Sequence, residues 1–562
     1  MTTALPSTQY ALQLVGPGKL ALTAGKAVDR PGPTQVLARV ECVGLCFSDM
    51  KLLKQFDQHA RKSEVQAGLP AEVLRQIPSY VPGSKPTVPG HEVAARIVAV
   101  GAEVKRHRVG ERVLVQTDYR ALRTAASNAA FGYNFEGGLQ EYVLMDERVI
   151  VDAGGERFLL AAPEDRSASA IALVEPWACV EDSYVNHERQ GPKAGGRLLL
   201  VADAGAVLEG LAALTAARPA YVTALCAEPA QARALVQAGL LATPAPFSDL
   251  SALRDDAFDD IVYFGTRKAT IEILNDKLAA GGLINLVLGG KRIGAPVSVG
   301  VGRVHYGLTR WTGTTGSDCS ASYRHLPASG ELRPGEAVEV VGAGGPMGQM
   351  HVLRALTEGV PGVSVVGTDM DDARLAGLAA KANPLAAARK VPLRLVNTQR
   401  ERAGGPFSYV ALMAPVGALV AAAIQEAKEG ALVNIFAGIP AGVRHELDLD
   451  TYVARRVYMF GTSGSTIEDM RIVLGKVSSG ALDTDVSVDA ISGMGGAQDG
   501  IAAIENRSLG GKILVYPWLG EVGLIPLKDL PAKFPTVAAR LDGGKWCKAA
   551  EDELKRVGGF TA

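Results

Sequence analysis

The sequence predicts an α/β protein: a β-rich N-terminal domain followed by two consecutive βαβ domains. Three observations carry this reading. Short apolar strands separated by Gly/Pro turns run from residue 10 to about 150. From about residue 190 strands and helices alternate instead, the pattern that builds a parallel sheet. That second rhythm is written twice, because GGLINLVLG at 281–289 returns as GALVNIFAG at 430–438.

Size and composition agree. At roughly 150 residues per domain, 562 residues are enough for about three or four units. Gly at 64 and aromatics at 6% favour Ala/Gly/Val-rich α/β packing over an aromatic-rich all-β architecture. Lys plus Arg total 58 against 59 Asp plus Glu, so no basic field draws in nucleic acid or anionic membrane. A small-molecule ligand is expected. Six scattered cysteines suit a reducing compartment. The N-terminus MTTALPSTQYALQLVG has neither a basic n-region nor an apolar h-region, and no apolar run reaches the roughly 20 residues of a membrane span. A cytoplasmic location is expected.

The elements follow in order. YALQLVG, QVLARVECVGL, EVAARIVAVGAEV, ERVLVQT and LQEYVLM read as the strands of the first domain. The polar, partly helical stretch 55–86 interrupts them as an excursion with the character of a lid. RLLLVADAG, LEGLAALTAA, YVTALCAE and PAQARALVQAG open the first βαβ domain, and EAVEVVGAGG, MGQMHVLRALTEG, VSVVGTDM and DDARLAGLAAKA open the second. Phe258, Asn285 and Gly289 precede Phe407, Asn434 and Gly438 by 149 positions, and GTTGS at 313 precedes GTSGS at 461 by 148. A nearly constant offset means internal duplication. The expected domains are 1–188 with 466–562, 189–325, and 326–465, the polar tail from 518 ending in a docked helix.

The second copy carries VVGAGGPMGQMH. Gly342, Gly344, Gly345, Pro346, Met347 and Gly348 sit at a strand-to-helix turn. There glycines let a pyrophosphate approach the backbone and the helix N-terminus binds it. Proline suits the first helical turn, where its missing donor costs nothing. Asp369 ends the next strand, placed to accept ribose hydroxyls and to repel a 2′-phosphate, which favours NAD over NADP. The first copy has VADAGAVLEG instead. Asp203 and Glu209 stand where the first and last glycines belong, and carboxylates facing a diphosphate repel it. A decayed copy kept for packing is expected, although Glu228 offers a ribose acid.

Three further motifs stand in the N-terminal part: GLCFSDMK at 44–51, PGHE at 89–92 and VEPW at 174–177. With the Gly101–Val113 segment, EGGLQEY and a late βαβ domain, they resemble the medium-chain, zinc-dependent alcohol and polyol dehydrogenases. The resemblance covers about 10–190 and 330–517. It implies a GroES-like catalytic domain and Rossmann-like, doubly wound cofactor domains. It also implies a catalytic zinc on Cys46, His91 and, in the manner of sorbitol dehydrogenases, Glu175. Pro176 is expected to hold Glu175 extended. Glu92, next to His91 on a strand, points to the opposite face unless the chain bends, and is ranked as a supporting or alternate ligand.

In this scheme zinc lowers the pKa of a substrate hydroxyl, and hydride leaves carbon for the nicotinamide. Ser48 relays the proton, Lys51 passes it to solvent or binds a substrate phosphate, and Asp49 orients His91. The plain reading of Ser48 and Asp49 is helix-start capping. FGYNFEGG resembles the sugar-phosphate and polyol members such as sorbose 1-phosphate reductase. Its Tyr133, Asn134 and Glu136 read equally as hydroxyl-matching groups or as a turn. His187, His305, His351 and His445 lack ligand spacing and read as packing or surface residues. No cysteine occurs in 112–138, so one zinc and no structural zinc is expected.

The expected function is a zinc- and NAD-dependent oxidoreductase acting on a polyol, sugar alcohol or sugar phosphate. The rivals are a redox-neutral epimerase, isomerase or lyase with retained NAD, and a non-enzymatic scaffold. The duplicated domain departs from the family pattern. It is expected to make either a homo-oligomer or an intrachain pseudo-dimer.

Overall fold

The computed structural model describes residues 5–241 and 249–560; residues 1–4 of the N-terminal segment, 242–248 of the first copy and 561–562 of the tail lie outside it. Contacts divide the chain into two compact units, Met1–Glu181 with Ser465–Ala562, and Asp182–Gly464.

The first unit is built on an eight-stranded sheet. Its central strand β1 (Gln35–Gly44) is followed by helix α1 (Phe47–Gln55). It pairs antiparallel with β2 (Glu92–Val100), with Tyr142–Asp146 and with the late strand Lys512–Val515. QVLARVECVG is buried at nearly every position, as a β-rich run covered on both faces should be. Val40, Val93, Val113 and Ile513 share one core, which ties residues after 465 back to the first domain. The stretch 55–86 folds as 3₁₀ turns at Phe56–Gln58 and Ala60–Lys62, a short strand Val65–Ala67 against Asp118–Thr124, and helix Ala71–Leu74. The tail carries helix Lys548–Val557. Its Glu551 accepts the N–H groups of Ala168 (2.7 Å) and Ser169 (2.9 Å).

One expectation is corrected here. Glu175 is not in extended backbone but in the first turn of helix α2 (Val174–Val185). Proline disfavours a helical predecessor, yet Pro176 itself is tolerated in a first turn because its missing N–H has no carbonyl to serve there.

In the second unit the first copy contributes β3 (Arg197–Ala202), helix α3 (Leu211–Ala216), β4 (Tyr221–Cys226), β5 (Phe258–Phe264), β6 (Leu278–Val287), β7 (Val297–Val299) and β8 (Arg310–Thr314). Its described parallel sheet runs β4-β3-β5-β6-β8. The second copy contributes β9 (Ala337–Val341), helix α4 (Pro346–Thr357), β10 (Ser364–Asp369), β11 (Leu393–Asn397), β12 (Phe407–Leu412), β13 (Ala427–Ile435), β14 (His445–Leu447) and β15 (Tyr458–Phe460). Its parallel sheet runs β11-β10-β9-β12-β13-β15, the doubly wound order whose direction reverses between β9 and β12. Both sheets have the Rossmann-like architecture expected.

The two copies share a core that includes Leu286, Trp311, Val433 and Tyr452, and β7 pairs antiparallel with β14 across them. The asparagine repeated in the duplicated strands is buried in both places. Asn285 donates to the Cys319 carbonyl at 2.9 Å, and Asn434 to Ser183 Oγ at 3.0 Å and Tyr409 Oη at 3.2 Å. Among the described residues no helix is long and apolar enough to cross a membrane.

Candidate metal centre and nucleotide loop

In the first unit, the end of β1, the start of α1 and the turn before β2 bring Cys46, His91 and Glu92 together. One ligand atom from each lies within 4.8 Å of the others. Cys46 is the N-cap of α1, and its N–H donates to Asp49 Oδ2 at 3.0 Å. Asp49 also meets His91: its Oδ1 lies 3.1 Å from Nδ1 and accepts the Gly90 N–H at 3.3 Å. Asp49 thus both caps the helix and holds the imidazole, so the two readings of this residue coexist. With the Nδ1 proton given to Asp49, the Nε2 lone pair is presented on the other side of the ring, where Ser48 Oγ lies 3.2 Å away. Ser48 Oγ also donates to Cys46 Sγ at 3.1 Å.

His91 and Glu92 reach the same place because the chain bends. Gly90 has φ +94°, and a Cβ there would lie 2.9 Å from Leu139 Cγ. That turn lets His91 swing inward just before the strand begins. Glu92 is fully buried; its Oε1 pairs with Lys512 Nζ, which also donates to the Leu45 carbonyl at 2.8 Å. Its Oε2 is buried without a hydrogen-bond partner. Gly44 packs directly against it: a Cβ there would stand 2.0 Å from that same oxygen and would displace the Glu92 carboxyl.

Glu175 stands outside this trio but feels it. Burial pushes its carboxyl up to about 7, with His91 drawing it down and Glu92 raising it. Burial opposes a charged His91, but the Asp49 carboxylate outweighs it and holds the imidazole pKa well above the usual value. A half-buried thiol, a buried imidazole and two buried carboxyls, one with an orphaned oxygen, are the S, N and O donors that zinc takes, and the residues fit that ion.

Of the FGYNFEGG side chains, only Tyr133 faces this cluster. Its ring centroid is 5.8 Å from that of His91, and 5.0 Å from that of His59 in the excursion. Asn134 is spent on Ala130 N (2.9 Å) and the Ser63 carbonyl (3.0 Å), and Glu136 on Lys26 (2.9 Å). Both hold the turn. Arg61 lies 5.7 Å from the Tyr133 ring, and Lys51 stands 5.9 Å from the Phe47 ring on α1. Sequence reasoning missed His59, Arg61 and Lys512. Lys512 left one signal, a lysine inside the apolar strand KILV.

In the second unit, the loop between β9 and α4 is shaped by its glycines. Gly342 has φ +83°. A Cβ on Gly344 would lie 2.7 Å from Asp369 Oδ2, and one on Gly348 would lie 2.3 Å from the Gly342 carbonyl oxygen. Gly345 is the N-cap and Pro346 opens the helix, followed by Met347. Asp369 Oδ2 accepts the Gly344 N–H at 2.9 Å, and Arg374 Nη2 lies 3.5 Å from the same oxygen. The acid at the strand end therefore braces the loop, with a guanidinium beside it. The cradle is one that a diphosphate fits and a side chain would fill.

Residues 32–154 match the model of the alcohol dehydrogenase GroES-like domain. The chain is 28% identical over 181 residues to D-altritol 5-dehydrogenase of Agrobacterium fabrum, covering 30% of this chain and 44% of that protein. In residues 32–154 the chain is similar to the GroES-like domain of alcohol dehydrogenases. The uncharacterized protein YggP of Escherichia coli K12 is likewise 28% identical over 292 residues, 46% of this chain and 66% of its own length. The matches thus span less than two thirds of these relatives. The fold is also that of 2R,3R-butanediol dehydrogenase from Bacillus subtilis, with a TM-score of 0.50 at 14% identity, covering 91% of this chain and 100% of that one.

Proposed function

We propose that the chain is a zinc- and NAD-dependent oxidoreductase that interconverts a secondary alcohol of the polyol, sugar-alcohol or sugar-phosphate kind and its ketone. The observation that carries this reading is the convergence of half-buried Cys46 with buried His91 and Glu92, with His91 held by Asp49. The match to the GroES-like domain and the polyol dehydrogenase relative support it.

Cys46, His91 and one of Glu92 or Glu175 would hold the ion. Zinc, when bound, supplies a Lewis acid that favours the alkoxide of a substrate hydroxyl. Ser48, already in contact with both Cys46 and His91, takes the hydroxyl proton and hands it on toward Lys51 and solvent. The glycine loop and Asp369 bind the dinucleotide, whose nicotinamide accepts the hydride. Asp369 at the ribose position is the reason for choosing NAD over NADP.

The test is metal content together with NAD reduction over a panel of polyols and sugar phosphates. About one zinc per chain and NAD-linked oxidation of at least one panel member are expected. Full turnover after Cys46→Ala with unchanged zinc would remove the metal assignment.

A further inference from the structure

We infer that the first βαβ copy is a built-in pairing partner whose own dinucleotide crevice is shut, so that the chain binds one nicotinamide dinucleotide and works as a monomer. The dinucleotide count rests on the proposed function; the pairing does not.

The pairing is symmetric. In the antiparallel joint, Val297 faces Leu447 and Val299 faces His445. Val297 and His445 are counterparts in the two copies, 148 residues apart, and so are Val299 and Leu447. The counterpart of each residue therefore meets the counterpart of its partner, about a centre at Ser298 and Glu446. A second place obeys the same exchange. A Cβ on Gly313 would lie 2.7 Å from Val453, and one on Gly461 would lie 3.1 Å from His305 Cα. Gly313 and Gly461 are counterparts, as are His305 and Val453.

Two independent contacts that both swap under one operation define an intrachain two-fold, the symmetry by which identical subunits close a dimer. Val297, Val299 and Leu447 are fully buried, and the two copies fill a single core. The face that would otherwise recruit a second chain is thus covered from within.

The nucleotide ends of the copies have diverged. In the first copy Asp203 stands beyond β3, beside the end of β5, where an open α/β sheet takes its ligand. Its carboxylate accepts Tyr263 Oη at 2.6 Å, Arg267 Nε at 2.9 Å and the Thr266 N–H at 3.3 Å. In the second copy the counterparts of Tyr263 and Arg267, 149 residues on, are Leu412 and Val416, and Gly342 stands in place of Asp203. Neither apolar side chain forms such an ion pair. Helix α3 after the first loop has only 6 residues, against 12 in α4. An ion pair with a tyrosine bolt and a stunted helix replace the open, glycine-lined cradle.

The experiment is sedimentation equilibrium of the full chain with equilibrium dialysis against NAD, for the wild type, Gly348→Ala, Asp369→Ala and Arg267→Ala. The expected result is a particle of 58.7 kDa that binds one NAD. At least tenfold weaker binding is expected in the two second-copy variants, with the count still one in Arg267→Ala. Two NAD per chain, full-affinity binding that survives both second-copy variants, or a stable particle of twice the mass would overturn the inference. Absence of any NAD binding would defeat the proposed function, and the particle mass would still decide the pairing.

Discussion

Asp49 Oδ1 lies 3.1 Å from His91 Nδ1 while Oδ2 of the same carboxylate holds the N–H of Cys46 at 3.0 Å. One side chain thus fixes the ring orientation of one proposed ligand and the backbone of another. Asp49→Ala should therefore weaken zinc about 10–100-fold, the usual cost of losing a carboxylate behind a ligating histidine. Competition with a chromophoric chelator measures it. Unchanged affinity would show that Asp49 serves the helix cap alone.

The two glutamates can be separated. Glu92→Gln leaves Lys512 buried beside a neutral partner, whereas Glu175→Gln removes a carboxyl that has no place in the trio. If Glu92 is the third ligand, Glu92→Gln should lower zinc content at least tenfold more than Glu175→Gln; the reverse order would return the role to Glu175. Elemental analysis of both variants decides.

Gly348→Ala places a methyl 2.3 Å from a carbonyl oxygen of the loop. Backbone cannot yield as a flexible side chain does, so the turn and helix α4 must separate. NAD affinity should fall at least tenfold while zinc content stays, as read by dinucleotide titration and metal analysis in parallel.

Asp369→Ser removes the acid proposed to disfavour a 2′-phosphate and leaves Arg374 beside the vacated position. The ratio of kcat/KM for NAD to that for NADP should fall by about tenfold or more, corresponding to roughly 1.4 kcal/mol. A ratio that does not move would take Asp369 out of cofactor choice and leave it as a brace for Gly344.

His351 in α4 is fully buried, with its Nδ1 2.8 Å from Tyr184 Oη. Burial lowers its pKa to about 3, with Arg354 adding to the effect. The folded chain therefore refuses a proton that the unfolded chain takes up below about 6.5. Stability from this group is complete above pH 6.5 and drains away as pH falls from there toward 3. At pH 5 the loss is about 2 kcal/mol. His351→Gln should flatten the difference in unfolding free energy between pH 7 and pH 5 by about that amount in denaturant titrations.

Periodicity and spacing made much of this protein readable. The strands of the first domain, the two βαβ rhythms and the glycine loop each depend on neighbours in sequence, and each appears where its pattern lies. Cys46 through Lys51 were legible for the same reason: a helix start places them within one turn. His59 and Arg61 were not, because nothing local in a polar excursion tells that it folds back against Tyr133. Glu175 was misjudged in its backbone, since Pro176 signals an extended neighbour and a first helical turn alike.

By itself the sequence determined the fold class, the duplication, the glycine loop at the strand-to-helix turn and the presence of residue types able to hold zinc, all consequences of short-range sterics and hydropathy. Only the tertiary structure showed that Glu92 lies beside Cys46 and His91, that Lys512 sits behind Glu92, and that the two copies meet through exchanged counterparts. Those are contacts between residues far apart in the chain, where packing and the cost of burying charge, not local preference, choose the partner.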